Sequence, residues 1–352
     1  MRRSSIGQMF SLRRVVQWGI ISALLAACAA LPEVAVSQEE ASVDAGEPSW
    51  RLGIHGGAGV ILRENLTDEQ EAAFHAALEE ALEAGAEVLR GGGSALDAVE
   101  AAIIPMEDNP LFNAGRGAVF TAAGEHELDA SIMDGRTRDA GAVAGVRTVK
   151  NPVLAARAVM EASPHVMFAG VGADEFASGQ ELEQVENSYF DTEFRRAALD
   201  RVLETRARTS ADNAGTVGAV AIDENGHLAA ATSTGGMTAK AEGRIGDSPL
   251  IGAATYAQDG VCAVSATGHG EYFIRVGVAK TICARVELAG EDVKTAADEA
   301  LSQVAELGGD GGVVLMDGNG DVFYAFNSPG MYRGSIDASG SETAIFGEPQ
   351  LE

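Results

Sequence analysis

The grouping of the expected elements most constrains the fold of this 352-residue chain. Strand patterns come in adjacent pairs, such as LDASIMDG followed by DAGAVAGVRTV, whereas amphipathic helix patterns come in separate pairs. Paired strands bury one face against another sheet, and paired helices bury an apolar stripe against a sheet. The pattern therefore predicts an α+β fold with helices outside two stacked sheets, which is a four-layer αββα sandwich.

Local signals place elements in the first half of the chain. Trp50 to Leu62 reads as a strand that runs into a glycine turn. The sequence Thr67-Asp68-Glu69-Gln70 is a capping box that opens a helix, and Gly91 to Gly93 end it. Ser94 starts a second helix, and the Pro of Asn151-Pro152 suits the first position of a third. The stretch NPLFNAGRGAVF is expected to be a glycine-rich loop that leads into a strand.

The second half repeats the same grouping. A loop with little structure is expected at about Asn187 to Gly215, where exposed chain tolerates proteolysis. The chain is expected to close with the hairpin GGVVLMDGNGDVFYAFN. The strands expected between these two segments are Val217 to Asp223, Leu228 to Thr232 and Val261 to Ala266, and the helices are Tyr272 to Glu287 and Glu291 to Leu307.

Composition excludes several classes of function. The net charge of -27 leaves no basic patch to neutralise phosphates, so no nucleic-acid partner is expected. Three cysteines do not make a disulfide framework, and six scattered histidines argue against a transition-metal site.

The pattern of the first 49 residues predicts that the protein is exported from the cytoplasm. A basic start and the short apolar run Val15 to Ala27 indicate a signal peptide over residues 1–28. The sequence Leu-Ala-Ala-Cys, which ends at Cys28, matches a bacterial lipobox in which the cysteine is lipidated; ordinary cleavage at an Ala-x-Ala site is the alternative. Residues 29–49 are small, polar and acidic, as in a flexible tether. We therefore expect a periplasmic or outer-membrane-anchored protein that meets the membrane only through a lipid.

A Gly-Thr pair, Gly215-Thr216, lies where a charge-dense segment gives way to a buried strand. A Thr hydroxyl needs a base to act as a nucleophile, and cleavage before Thr216 would supply its own α-amine, with a reference pKa of about 7.7–8.0. Gly215 has no Cβ and tolerates the strained backbone that attack on its carbonyl requires. The pair alone is also typical of an ordinary junction between a loop and a strand.

Polar groups at other strand ends strengthen this interpretation. Thr234 and Thr267 follow strand patterns, and Arg244 and Asp247 stand three apart on a glycine turn. Hydroxyls, one cation, one anion and free backbone amides suit an amide hydrolase. The simpler interpretation is a surface ion pair and turn hydroxyls that hydrogen-bond locally.

Six stretches occur in this order: IHGGAG, NPLFNAGRGAVF, HELDASIMDG, GTVGAVAIDENGHLAAATSTGGMTAK, GRIGDSPLIGA and TGHGEYFIR. Together they resemble the plant-type L-asparaginases that are also isoaspartyl peptidases, a family of N-terminal nucleophile hydrolases. The resemblance covers about Leu52 to Arg333. It implies the αββα sandwich, self-cleavage into an α subunit (50–215) and a β subunit (216–352) of one structural domain, and an (αβ)2 heterotetramer.

The resemblance also implies roles for single residues. Thr216 would be the nucleophile and Thr234 would hydrogen-bond near its hydroxyl. Thr267 and Gly268 would form the oxyanion hole, and Asn113 would position the nucleophile.

Substrate groups follow from the same resemblance. Arg244 would bind the substrate α-carboxylate and Asp247 the α-ammonium, groups that L-asparagine and isoaspartyl dipeptides share. His269 stands where the family frequently has a small residue, which alters the leaving-group side. The full substrate-binding set implied is Arg244, Ile245, Gly246, Asp247, Thr267, Gly268, His269 and Gly270.

No cofactor is required in this family, but a structural Na+ is implied.

Two other functions remain open at this point. A glycosylasparaginase shares the nucleophile and the turn, although TVGAVA and STGGMT favour the asparaginase branch. A non-catalytic envelope lipoprotein of this fold would keep an uncleaved chain that binds aspartate.

The implied Na+ ligands are the backbone carbonyls of Met106, Glu107, Asn109, Phe112, Ala114 and Arg116.

Overall fold

The computed structural model describes residues 50–205 and 215–347. The predicted signal peptide, Cys28 and the tether lie outside the described residues, as do residues 206–214 of the expected loop. No helix in the described part has the length and apolar character needed to span a bilayer.

The larger sheet has eight strands, in the order β12-β11-β1-β5-β6-β2-β3-β4. Its neighbours pair antiparallel except β3 and β4, which are parallel. The strands are β1 (Arg51–Gly59), β2 (Leu128–Asp134), β3 (Ala140–Val146), β4 (Met167–Ala169), β5 (Val217–Ile222), β6 (Leu228–Thr234), β11 (Gly330–Asp337) and β12 (Gly340–Phe346).

The smaller sheet has four antiparallel strands, in the order β10-β9-β8-β7. It stacks on the central strands of the larger sheet, with β8 against β5 and β6, and β9 against β1. Val220 of the large sheet and Val264 and Val314 of the small sheet belong to the buried cluster between them. The strands are β7 (Thr255–Gln258), β8 (Cys262–Gly268), β9 (Gly311–Asp317) and β10 (Val322–Phe326).

Helices cover the outer face of each sheet. The helices α1, α2 and α3 pack on the large sheet, and α7 and α8 pack on the small sheet. The predicted four-layer αββα sandwich is therefore confirmed. The helices are α1 (Asp68–Arg90), α2 (Ala95–Asp108), α3 (Pro152–Ala162), α4 (Gly170–Gly179), α5 (Glu193–Thr205), α6 (Gly270–Val276), α7 (Val278–Ala289) and α8 (Val293–Glu306).

The predicted helix starts are confirmed. The Thr67 hydroxyl accepts from the Gln70 amide while the Gln70 side chain accepts from the Thr67 amide, which satisfies two free donors of the first turn. The Ser94 hydroxyl caps α2 through the Asp97 amide. Pro152 occupies the start of α3.

Two predictions about loops and helices are wrong. The segment expected to have little structure contains α5, whose charged surface masks a short apolar face; Leu199 and Val202 bury that face against Phe120. The helix expected over Tyr272 to Glu287 is two helices, because Gly277 adopts a left-handed conformation with φ 64°.

Two predictions about strands are also wrong. The stretch NPLFNAGRGAVF contains a short 3-10 turn at Gly115–Gly117 and leads to an isolated bridge at Thr121, not into a strand. The hairpin of β9 and β10 does not close the chain, since β11 and β12 follow it and extend the large sheet beyond β1.

A disulfide links Cys262 at the start of β8 to Cys283 in α7, with 5.7 Å between the Cα atoms. Both residues are fully buried. Their spacing of 21 residues carries no recognisable motif, so the bond was not predictable from the sequence. The disulfide ties the outer helix layer to the small sheet.

Replacement of both cysteines by alanine should lower the free energy of unfolding by about 3 kcal/mol, because the bond closes a loop of this length. Urea unfolding with and without a reductant measures the effect, and the double variant should be insensitive to the reductant. Non-reducing peptide mapping that finds both thiols free would contradict the expectation.

Candidate active site

Thr216 and Thr234 lie together at one end of the large sheet. Thr216 immediately precedes β5, and Thr234 is the last residue of β6. The two strands are antiparallel, with Val217 opposite Ser233, so the start of β5 adjoins the end of β6. The hydroxyl Oγ1 atoms of the two threonines are 2.9 Å apart, and both residues are buried. The predicted nucleophile thus has a hydroxyl partner at hydrogen-bond distance.

A hydrogen bond to its carbonyl holds Gly215, the residue before the predicted nucleophile. The Asn113 backbone N–H donates to the Gly215 carbonyl at 2.9 Å. The Asn113 side chain donates to the Gly236 carbonyl at 2.7 Å and accepts from the Val119 amide at 2.9 Å. Asn113 therefore contacts Gly215, the residue before the predicted cleavage point, through its main chain, while its side chain braces the surrounding loops.

Gly57 of β1 packs directly on Gly215. A β-bulge between His55 and Gly57 turns the strand toward it, and φ is +114° at Gly57 and +136° at Gly215. A Cβ on Gly57 would overlap the Gly215 backbone. Glycine is required at both positions by conformation and by space.

His55 is a buried residue of the site to which the sequence analysis assigned no role. Its Nδ1 lies 3.0 Å from the Thr216 carbonyl, and its Nε2 lies 3.0 Å from Ser265 Oγ. A carbonyl only accepts, so Nδ1 carries the proton and Nε2 accepts from the serine hydroxyl. Burial lowers the pKa of His55 to about 3, although the bond to the Thr216 carbonyl opposes the shift, and the imidazole is neutral. His55 therefore links β1, β5 and β8 beneath the nucleophile.

A glycine makes room for this link. A Cβ on Gly218, two residues after Thr216, would overlap Ser265 Oγ and the His55 ring. Ser265 also lies 2.7 Å from the Thr232 hydroxyl, and all of these polar side chains are fully buried. The glycine of the "TVG" that follows the predicted cleavage point is thus a local sequence signal for the buried link.

Thr267 and Gly268 end β8, on the sheet that stacks on β5. Thr267 is buried, and its hydroxyl accepts from the Ala58 amide at 3.4 Å. Gly268 has φ +153°, and a Cβ there would come within 2.5 Å of the Asp310 carbonyl. The structure therefore brings the predicted oxyanion-hole residues to the β8 end next to the β1 turn.

The predicted carboxylate-binding residue Arg244 is engaged within the chain. Its Nε and Nη2 donate to the two carboxylate oxygens of Glu271 at 3.0 and 2.9 Å. The ion pair is not with Asp247, the acid three residues away. Burial acts to raise the pKa of Glu271, but the Arg244 guanidinium outweighs it, so the pKa lies below its usual range.

Asp247 is a buried acid whose Oδ2 has no hydrogen-bond partner among the described residues. Burial raises its pKa to about 7, against the opposing effect of the Arg244 charge. A buried, unpartnered carboxylate is unfavourable until a cation or donor reaches it. The Asp247 side chain borders Gly270, where a Cβ would come within 2.6 Å of Oδ1. This environment suits a ligand ammonium.

A buried acid, Asp129, and a buried base, Lys240, lie close enough to Arg244 to interact with its charge. Asp129 on β2 accepts from the Gly145 amide at 2.8 Å, and Lys240 donates to the Glu127 carbonyl at 2.7 Å. Burial raises the pKa of Asp129 and lowers that of Lys240, while each charge opposes the shift of the other. Neither residue was assigned a role from the sequence.

The remaining predicted substrate residues flank these groups. His269 Nδ1 lies 2.6 Å from Asp310 Oδ1, and this carboxylate raises the pKa of His269. Gly246 borders Arg244, since a Cβ there would come within 2.8 Å of Nη1. Ile245 points toward Gly145. His269 thus follows Gly268 of the predicted oxyanion hole, and Gly246 lies beside Arg244, the predicted carboxylate-binding residue.

The loop predicted to hold Na+ is built on two glycines. A Cβ on Gly115 would overlap the Glu107 carbonyl, and one on Gly117 would overlap the Phe112 carbonyl. The Glu107 side chain is fully buried, accepts from Ser233 Oγ at 2.6 Å, and has its pKa raised to about 8 by burial. Backbone oxygens crowd this loop, and oxygen ligands suit hard cations. The residues present therefore fit the ion.

The αββα sandwich, with a buried threonine where a central strand begins, is the architecture of N-terminal nucleophile hydrolases. The family model described as asparaginase matches residues 48–345, and the chain belongs to this family.

Curated relatives cover most of the chain. It is 49% identical over 292 residues to a protein of Salmonella typhimurium named isoaspartyl peptidase, covering 80% of this chain and 93% of the relative. A protein of the same name from Escherichia coli is 48% identical, covering 80% and 91%. A probable isoaspartyl peptidase/L-asparaginase 2 of Arabidopsis thaliana is 40% identical, covering 84% and 99%. The family predicted from the sequence is confirmed.

The raised pKa of Asp247 gives a pH prediction for amino-acid binding. Below about pH 7 the carboxyl is protonated and no longer attracts an α-ammonium group, so the inhibition constant of L-aspartate should rise by up to about tenfold per pH unit. Inhibition assays from pH 5.5 to 8 measure it. Asp247→Asn should bind weakly and lack this pH dependence; a wild-type constant that stays level below pH 7 would contradict the role.

Proposed function

We propose that this protein is a self-cleaving threonine hydrolase that acts on isoaspartyl dipeptides and on L-asparagine. The observation that carries the proposal is the buried contact of 2.9 Å between the hydroxyls of Thr216 and Thr234 at the start of β5. The names of the relatives, isoaspartyl peptidase and isoaspartyl peptidase/L-asparaginase, support the substrate class.

In the proposed reaction, self-cleavage frees the α-amine of Thr216, which accepts the proton from the Thr216 hydroxyl. The hydroxyl oxygen attacks the side-chain amide carbonyl, and Thr234 supports the nucleophile through its hydroxyl. The Thr267 hydroxyl and the Gly268 amide stabilise the developing oxyanion. The amide nitrogen takes a proton and leaves as ammonia or as an amino acid. Water then hydrolyses the ester and releases L-aspartate.

Substrate choice follows from two charged groups. Arg244 binds the α-carboxylate by a guanidinium fork, and Asp247 binds the α-ammonium in its buried position. L-asparagine and isoaspartyl dipeptides present both groups identically and differ only in the leaving group. The pair therefore accounts for one site that serves both substrates.

We propose further that the loop on Gly115 and Gly117 holds a structural Na+. Its ligands would be the carbonyls of Met106, Glu107, Asn109, Phe112, Ala114 and Arg116, and the crowded Glu107 and Phe112 carbonyls support this. The ion would fix the segment that carries Asn113. A melting temperature higher in NaCl than in choline chloride of equal ionic strength tests it.

We also propose an (αβ)2 heterotetramer. The support is an exposed apolar patch at the β4 edge, where Val166, Met167 and Val171 have 55%, 37% and 71% of their surface exposed. Exposed apolar patches commonly mark protein interfaces. Light scattering on Val171→Asp, with Leu288→Asp on α7 as the control at another exposed site, tests this assembly.

Export to an oxidising compartment is proposed on two grounds. The signal peptide and lipobox of residues 1–28 indicate it, and the buried disulfide of Cys262 and Cys283 supports it, because such bonds persist outside the reducing cytoplasm. We propose lipidation at Cys28 and anchoring at the periplasmic face of the outer membrane.

The activity is tested with β-Asp-Leu, L-asparagine and N-acetylglucosaminyl-asparagine. We expect the first two to be hydrolysed and the third to be inert. Thr216→Ala should remain a single band without activity, because it has no hydroxyl for either reaction, while Thr216→Ser should retain both in part. Preferential hydrolysis of the third substrate would indicate a glycosylasparaginase, and an inactive chain that binds aspartate would indicate a binding protein.

Cys28→Ser should abolish membrane association if Cys28 carries the lipid, because residues 29–49 that follow it are small, polar and acidic. Fractionation of cells that express either form measures the change, and hydrolytic activity in the soluble fraction serves as the folding control. Unchanged association with the membrane would remove Cys28 as the anchor.

A further inference from the structure

Glu271 stands at a junction of two functional segments. It is the second residue of α6 and lies three residues beyond Gly268, the predicted oxyanion-hole glycine. Its carboxylate receives two hydrogen bonds from Arg244, at 3.0 Å from Nε and 2.9 Å from Nη2. About half of the Glu271 side chain is exposed, whereas the Arg244 side chain is only 17% exposed. The pair therefore forms at the edge of the site with the guanidinium on the inner side.

A guanidinium offers two planar forks of donors, and a carboxylate fills one of them. Glu271 fills the fork made by Nε and Nη2, which leaves the fork made by Nη1 and Nη2. Nη1 borders Gly236 and Gly246, where Cβ atoms would come within 3.3 and 2.8 Å of it. The fork that Glu271 leaves open therefore lies on the side of Arg244 that borders the two glycines.

We propose that Glu271 is a positioning residue that fixes the Arg244 guanidinium so that its remaining fork meets the α-carboxylate of the substrate. This inference rests on the proposed function. It assigns Glu271 to binding, not to the chemical step, because Glu271 touches Arg244 and not the reacting atoms.

The charge of Glu271 adds a second consequence, which concerns selectivity. Arg244 carries one positive charge, and above about pH 7 Asp247 and Glu271 each carry a negative one, so these three side chains together are net negative. Such a cluster accepts a ligand that brings both an ammonium and a carboxylate, and it repels a dicarboxylate without an ammonium. Glu271 therefore favours L-aspartate over succinate, which differs from it only by the amino group.

Kinetics of Glu271→Ala and Glu271→Gln test the proposal. With β-Asp-Leu as the substrate, Glu271→Ala should raise KM about tenfold and change kcat less than about twofold, since a bidentate charge-assisted contact is lost. Glu271→Gln keeps one acceptor and should show a smaller rise. The ratio of the inhibition constants of succinate and L-aspartate should fall in both variants.

A matched control is Glu83→Gln, because exposed Glu83 makes the same kind of two-bond pair with Arg90 on α1. It should behave as the wild type. Completed self-cleavage of each variant, seen as two bands, shows that its fold is intact. An unchanged or lower KM for Glu271→Ala would overturn the proposal, and a lower one would make Glu271 a competitor of the substrate carboxylate.

The failure of the proposed function is distinguishable from the failure of this inference. If the wild type hydrolyses none of the substrates, calorimetric binding of L-aspartate to the same variants replaces KM. Weaker binding in Glu271→Ala than in Glu83→Gln then supports the positioning role, and equal binding contradicts it.

Discussion

The site depends on the antiparallel register of β5 and β6. That register sets Val217 opposite Ser233 and so brings the Thr216 and Thr234 hydroxyls to 2.9 Å. A shift by one residue would turn every side chain of the strand to the other face and separate the two hydroxyls. The flanking helices and the second sheet hold this register by burying both faces of the strands.

Buried polar side chains beneath Thr216, the proposed nucleophile, connect the two sheets. Neutral His55 joins the Thr216 carbonyl to Ser265 on β8, and Ser265 meets Thr232 on β6. Each buried polar group is unfavourable unless it is hydrogen-bonded, and these are. Gly218 leaves the space in which they meet. The polar link therefore fixes the distance between β5, which follows the proposed nucleophile, and β8, which ends in the proposed oxyanion-hole residues.

The sequence predicted what local chemistry determines. The layered fold, the capped starts of α1 and α2, and the family all followed from periodicity and from motifs. Contacts distant in sequence were not predictable, because no local pattern records them. Glu271 lies in the stretch TGHGEYFIR, but nothing local assigns it a role, and its pairing with Arg244 needs the fold. The disulfide of Cys262 and Cys283 also joins elements that only the packing of α7 on β8 brings together.

The glycines explain much of what the motifs encode. Gly57, Gly215 and Gly268 adopt positive φ at close backbone contacts, so a side chain at any of them would strain or displace the site. The helix α5 illustrates the opposite case, since a mainly charged sequence gave no apolar period strong enough to predict it. The glycines of the motifs therefore predicted the site more accurately than hydrophobic periodicity predicted the helices and strands around it.

The central claim is that Thr216 becomes an N-terminal nucleophile. Intact mass and N-terminal sequencing of the purified protein test it most directly. The account predicts two fragments, one of which begins Thr-Val-Gly-Ala-Val at Thr216 and ends at Glu352. A single uncut chain after long incubation, or a fragment that begins at any other residue, would contradict it.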